Sequence, residues 1–251
     1  MSNTQLILEC RQQLEDLLGS FTIDAPPLSS DPQQTLDQLN TAIDHTLLKS
    51  GATPSDIEGL CKEAKENNFA SVCVYPSWVK DAKTHLQNTG VKVCTVVGFP
   101  HGNTPTDNKI YETQNAIADG ATEIDMVIPI GALKSMDFKA VFKDIESVVK
   151  AATPHLVKVI IETSALALRE KIQACLLAQR AKAHFVKTST GFGEHGATLA
   201  DVKLMAEVVE GTMGIKASGG IRTLEAAKNM VLAGATRLGT SASVDIVSSL
   251  S

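Results

Sequence analysis

The segment NTAIDHTLLKSGAT, residues 40–53, begins as a strand-like run and then turns without the Gly-x-Gly-x-x-Gly that opens a dinucleotide-binding βα unit. Working outward, the same alternation recurs. Strand-like runs fall at 40–44 (NTAID), 69–74 (FASVCV), 91–98 (VKVCTVVG), 121–128 (ATEIDMVI), 156–163 (LVKVIIET), 182–187 (KAHFVK), 213–217 (MGIKA) and 236–240 (TRLGT). Helical stretches separate them: PSDIEGLCKEAKENN starts at a proline and serine, while TPTDNKIYETQNAIADG and TLADVKLMAEVVEG end on glycines. Eight such βα units over about 215 residues favour an α/β fold of closed (β/α)₈ TIM-barrel type over an open doubly wound sheet.

Ahead of this pattern, residues 4–18 place Leu6, Ile7, Cys10, Leu14, Leu17 and Leu18 at helical spacing, and FTIDAPPLSSDPQQ (21–34) is turn-rich and broken by proline. The chain therefore divides into an N-terminal helical extension and linker (1–38) and a barrel domain (39–251). The extension packs on the barrel bottom, forms an oligomer contact, or is disordered. A homodimer or other homo-oligomer is the expected assembly.

With 251 residues and 43% hydrophobic composition the chain can bury a large core. A net charge of -5 without a long basic run argues against nucleic acid or an anionic membrane as partner. Cys10, Cys61, Cys73, Cys94 and Cys175 show no CxxC or metal-type spacing and read as buried thiols of a reducing compartment. The N-terminus carries an early glutamate and no signal-type apolar run, and nothing approaches the ~20 apolar residues of a membrane span. A cytoplasmic enzyme with a small substrate is expected.

Side chains alternate along a strand, so one parity faces the barrel interior. In LVKVIIET the apolar Val157, Val159 and Ile161 share one parity, which puts Lys158 and Glu162 inside. By the same argument Asp125 opposes Ile124, Met126 and Ile128, Lys187 goes with Phe185, and Lys216 goes with Gly214 and Ser218. Buried charges need partners, so this interior is either a polar active centre or an ion-pair network filling the barrel. Lys187 and Lys216 are each followed by a glycine-containing turn, TSTGFG and ASGGIRT, and GTSAS follows the eighth strand. Such turns cradle phosphate, with Gly191, Ser218, Gly219, Gly220, Gly239 and Ser241 as candidates.

Two lysines at ~6 Å and an effective dielectric of ~20 repel by roughly 2 to 3 kcal/mol, enough to lower one amine's pKa by about two units. A neutral amine attacks a carbonyl at pH 7 to form a Schiff base, and Asp125 is placed to move protons. No HxH or HExxH motif is present, which favours the imine over a metal-stabilised enolate.

The ordered motifs IDHTLLK (43–49), VCVYP (72–76), VVGFPHG (96–102), EIDMVIPIGALKS (123–135), VKVIIET (157–163), FVKTSTGF (185–192) and IKASGGIRT (215–223) resemble the deoxyribose-phosphate aldolase family across about residues 40–245. The resemblance implies that Lys187 is the Schiff-base lysine, Lys216 the second lysine that depresses its pKa, and Asp125 the proton relay. It further implies supporting roles for Lys158, Glu162 and Asp44, a phosphate site in the glycine and serine loops, and no metal or organic cofactor. The implied reaction is reversible cleavage of 2-deoxy-D-ribose 5-phosphate to D-glyceraldehyde 3-phosphate and acetaldehyde, a step of deoxyribonucleoside catabolism. Some relatives use a C-terminal tyrosine for proton transfer, but the tyrosines here are Tyr75 and Tyr111, so water or Asp125 takes that role. His101 in GFPHG reads as a solvated loop residue. Rival readings are another imine-forming barrel aldolase, separable by a substrate panel, and a phosphate-binding barrel without activity, which would bind substrate but never turn it over.

Overall fold

Eight strands, β1 (Ile43–Leu47), β2 (Ser71–Val74), β3 (Lys92–Val97), β4 (Glu123–Val127), β5 (Leu156–Ile160), β6 (Phe185–Lys187), β7 (Gly214–Ser218) and β8 (Arg237–Thr240), pair in parallel in chain order, and β8 closes on β1. This computed structural model describes residues 2–20 and 31–250. The stretch 21–30, most of the linker expected at 21–34, lies outside the described residues. No described helix is long and apolar enough to cross a membrane.

The helices are α1 (Asn3–Leu18), α2 (Pro32–Asp37), α3 (Pro54–Glu66), α4 (Val79–His85), α5 (Thr106–Ala118), α6 (Ile130–Lys134), α7 (Phe138–Ala152), α8 (Leu168–Arg180), α9 (Leu199–Val209), α10 (Leu224–Leu232) and α11 (Ser243–Ser248). Their starts follow local chemistry. Thr53 caps α3 in a reciprocal box with Asp56 and Pro54 at the first position, and Thr198 and Thr223 cap α9 and α10.

Outward-facing strand residues such as Val72, Ile124, Met126, Val157 and Val159 are buried in one hydrophobic core with the helices. That core lies between strands and helices, and leaves the barrel interior to the other parity. The first strand begins three residues later than expected, because Leu39–Ala42 forms a 3-10 turn, and it continues through the polar His45 and Thr46. His45 is accommodated in the helix layer by two partners: Ser243 Oγ at 2.8 Å and Glu63 Oε2 at 2.7 Å.

α1 packs on the flank of the barrel, against α8, α7 and α9, rather than on its bottom. Leu6, Ile7, Cys10 and Leu14 are its buried stripe, Arg169 on α8 pairs with Glu9 at 3.0 Å, and Gln173 donates to Gln13 at 3.0 Å. Apolar residues four apart form one face, and α8 supplies the surface that covers it.

Candidate active site

Strand alternation carries seven charged side chains into the barrel, four cations (Lys158, Lys187, Lys216, Arg237) and three carboxylates (Asp44, Glu123, Asp125). Asp125 is the hub. Its Oδ2 accepts from Lys187 Nζ and from Lys216 Nζ, both at 2.7 Å, and its Oδ1 accepts from Lys158 Nζ at 3.0 Å and Cys94 Sγ at 3.2 Å. The amines of Lys187 and Lys216 therefore lie no more than 5.4 Å apart, twice 2.7 Å.

The remaining cations are more heavily paired than Lys187. Lys216 also meets Asp44 Oδ2 at 2.5 Å, and Lys158 meets Glu123 at 2.6 Å and Asp44 at 3.7 Å. Arg237 bridges Asp44 at 2.6 Å and Glu123 at 3.1 Å, with Ser71 Oγ donating to Asp44 Oδ1 at 2.7 Å. Burial by itself would push the Asp125 and Asp44 carboxyls up. The surrounding ammonium and guanidinium groups outweigh it and hold both well below the ordinary range. For Lys216 and Lys158 burial works downward, but the carboxylates, Asp125 first, raise both above the ordinary lysine value. Both stay cationic at neutral pH.

A cavity of 260 Å³ opens at the C-terminal ends of β6, β7, β8 and β1. Lys187 lines it, as do Gly191, Ser218, Gly219, Gly220, Gly239 and Ser241, so the three glycine loops expected to cradle phosphate do converge on one space. Lys216, Lys158 and Asp125 are 0% exposed and lie beneath it. Gly239 has a second reason to be glycine, since a Cβ there would stand 2.9 Å from Lys216 Cε. A larger hollow of 440 Å³ at the opposite end of the barrel, against Thr41, Phe69, Ala70 and Val91, has Lys65 as its one charged lining residue and no part in this cluster.

Lys158 and Glu162, on one face of LVKVIIET, do not meet as partners. Lys158 joins the hub, whereas Glu162, past the strand end with φ 53°, accepts from the backbone N–H of Thr190 at 3.1 Å and from the Thr190 hydroxyl. It thereby anchors the loop after Lys187. His101 is exposed and is not among the cavity-lining residues. All five cysteines are free and buried.

Sequence reading missed Glu123, Arg237, Cys94 and Ser71 in the cluster, and Thr46, Lys49, Phe192 and Arg222 around the cavity. Glu123 shares the parity of Asp125 and Arg237 that of Gly239, so the alternation argument could have found both. Donor atoms of Cys73, Cys94 and Asp125 lie within 4.8 Å of one another, as do those of Asp44, Cys94 and Glu123. Lys158 touches Cys94, Asp125 and Glu123, so an ammonium already takes the place a cation would have there.

A closed barrel with a cavity-facing lysine above a buried lysine–aspartate pair, at the strand C-termini where this fold carries its chemistry, belongs to the class of aldolase barrels. Comparison with known proteins narrows the class. The DeoC/LacD family aldolase model matches residues 39–247. The chain is 58% identical over 210 residues to the deoxyribose-phosphate aldolase of Bdellovibrio bacteriovorus, covering 84% of this chain and 96% of that one. Its fold is similar to that of a Coccidioides immitis protein assigned as a deoxyribose-phosphate aldolase, with TM-score 0.87, 41% identity and coverage of 100% and 98%. It is also similar to a tetrameric deoxyribose phosphate aldolase of Aeropyrum pernix, with TM-score 0.80, 33% identity and coverage of 100% and 98%. The chain belongs to the DeoC/LacD aldolase family and is a carbon–carbon lyase.

Proposed function

We propose that this enzyme reversibly cleaves 2-deoxy-D-ribose 5-phosphate to D-glyceraldehyde 3-phosphate and acetaldehyde through an imine on Lys187. The observation that carries the residue assignment is access: of the three lysines around Asp125, Lys187 alone lines the cavity, and it has one carboxylate partner where Lys216 has two and Lys158 three. Lys216 and Lys158, both fully buried and held cationic by the carboxylates, supply fixed positive charge beneath Lys187.

Lys187 Nζ attacks C1 of the open-chain aldehyde, and the carbinolamine loses water to give an iminium. The C3 hydroxyl then gives up its proton, the C2–C3 bonding pair moves to C1–C2 as an enamine, and C3 leaves as the aldehyde of glyceraldehyde 3-phosphate. A proton to C2 and water to C1 release acetaldehyde and restore the amine. Asp125, whose Oδ2 touches Lys187, moves these protons directly or through water. Asp44 and Lys158 hold the hub, and Glu162 holds the 188–192 loop. The phosphate sits in the loops of Gly191, Ser218, Gly219, Gly220, Gly239 and Ser241, with Lys49 and Arg222 at the rim. The working form is a homo-oligomer, and the five free thiols suit a cytoplasmic setting. The N-terminal 38 residues serve the barrel as an appended flank helix and linker, as α1 on α8 supports.

The test is borohydride reduction with 2-deoxyribose 5-phosphate followed by peptide mass spectrometry. An adduct on Lys187, absent in Lys187→Ala and slow to form in Lys216→Ala, is expected. An active enzyme without any adduct overturns the imine, and an adduct on Lys216 reverses the two roles.

A further inference from the structure

His45 sits on the outer face of β1, opposite the inward Asp44, and takes no part in the hub around Asp125. Its ring is buried with its centroid 5.2 Å from that of Phe69, yet both nitrogens are engaged: Nε2 with Glu63 Oε2 on α3 at 2.7 Å, and Nδ1 with Ser243 Oγ on α11 at 2.8 Å. An aliphatic side chain would fill this layer without any polar atom to satisfy. Burial lowers the His45 pKa, which suits a neutral ring whose Nε2–H donates to the Glu63 carboxylate and whose Nδ1 is left to accept from Ser243.

Ser243 connects this ring to the cavity. His45 pairs in register with Thr240 on β8, and the Ser243 hydroxyl also lies 3.1 Å from the Thr240 carbonyl. Thr240 Oγ1 accepts from the Ala242 N–H at 3.0 Å and donates to the Ile221 carbonyl at 2.6 Å, so the turn after β8 is tied to the loop after β7. Those two segments carry Gly239, Ser241, Ser218, Gly219 and Gly220 around the cavity. Ser241 stands between the two tied residues Thr240 and Ala242, so its N–H and hydroxyl are placed by that tie.

We propose that His45 is a positioning residue for the substrate phosphate, acting through Ser243 to hold the turn after β8 and, through Thr240, the loop after β7. This rests on the reading that those loops grip the phosphate. Backbone N–H groups and hydroxyls bind an anion best when their directions are fixed before it arrives, since less freedom is then lost on binding. Without a ring nitrogen at position 45, the Ser243 hydroxyl keeps the Thr240 carbonyl alone and the turn loses its anchor to the side chains of β1 and α3.

The experiment measures KM and kcat for 2-deoxyribose 5-phosphate and for unphosphorylated 2-deoxyribose in the unmodified enzyme, His45→Leu, His45→Asn, His45→Gln and Ser243→Ala, each beside a thermal melt. Asparagine puts an amide oxygen near the Nδ1 position and keeps the link to Ser243, whereas glutamine reaches the Nε2 position and keeps Glu63 only. In His45→Leu, His45→Gln and Ser243→Ala, KM for the phosphorylated sugar is expected to rise about tenfold, with kcat within about twofold and the unphosphorylated sugar little changed. His45→Asn is expected to recover most of that rise. An equal loss on both sugars, or an asparagine variant no better than the glutamine one, overturns the proposal. So does an unchanged KM in Ser243→Ala, which alters the buried volume by a single oxygen atom. Equal KM for both sugars in the unmodified enzyme overturns the phosphate-site reading instead, and failure to form the reduced Lys187 adduct overturns the imine.

Discussion

Replacing Asp125 by asparagine keeps the shape of the hub and removes its charge. Three ammonium groups lie within 3.0 Å of the carboxylate, at 3.0, 2.7 and 2.7 Å, so four cations would then face two carboxylates. With Lys187 and Lys216 at most 5.4 Å apart, their uncompensated repulsion alone is about 3 kcal/mol at an effective dielectric of ~20. Breaking a buried ion pair from one side costs roughly 3–5 kcal/mol, so Asp125→Asn is expected to lose about that much stability. For a chain of this size that lowers the melting midpoint by roughly 10 °C. Adding Lys158→Met, which removes a sealed cation and restores the excess to one, is expected to recover about half of the loss. Cleavage activity stays at least ~10²-fold down in both variants, because the proton relay is gone. Urea and thermal melts at pH 7, run beside an aldehyde-release assay, read these effects. A single variant within about 1 kcal/mol of the parent, or a double variant no more stable than the single, would refute the electrostatic account.

Two further outcomes are expected. At Gly196 a Cβ would stand 2.1 Å from the Gly219 carbonyl oxygen, so Gly196→Ala must displace the loop after β7. KM for the phosphorylated substrate should rise more than kcat falls, while turnover of unphosphorylated 2-deoxyribose changes less; equal effects on both sugars would place the damage outside the phosphate loops. In thermal melts between pH 8 and pH 5, stability should decline as pH falls through ~6.5. Burial lowers the pKa of His45 and of His184, whose Nδ1 accepts the Val157 N–H at 3.1 Å, so the unfolded chain takes up protons first. The depressed Asp44 and Asp125 lose their contribution only at pH values below ~3.9, and the raised Lys158 and Lys216 only as pH climbs past ~10.4. A midpoint that stays flat to pH 5, or falls equally in His184→Gln, would contradict this assignment.

Much of the architecture was legible because it is written at short range. A period of two in VKVIIET, glycines after helices and three glycine turns after the last three strands are local patterns, and they located the barrel and the mouth loops. The first strand was displaced because Leu39–Ala42 looks extended in composition but closes a 3-10 turn, and because buried His45 takes its partners from Glu63 and Ser243, far along the chain. Arg237 was passed over for a similar reason: its worth lies in Asp44 and Glu123, 193 and 114 residues away.

By itself the sequence determined which side chains enter the barrel, since alternation along a strand sorts Asp125, Lys158, Lys187 and Lys216 to one face whatever their neighbours are. It also determined that α1 has an apolar stripe. Only the tertiary structure decided that α8 covers that stripe, that Lys158 pairs with Asp125 rather than Glu162, and that Lys187 faces the cavity while Lys216 is sealed under it. Parity sets a direction toward the axis, but height along the axis and the identity of partners across it depend on closing all eight strands in register, and that closure is a property of the whole chain.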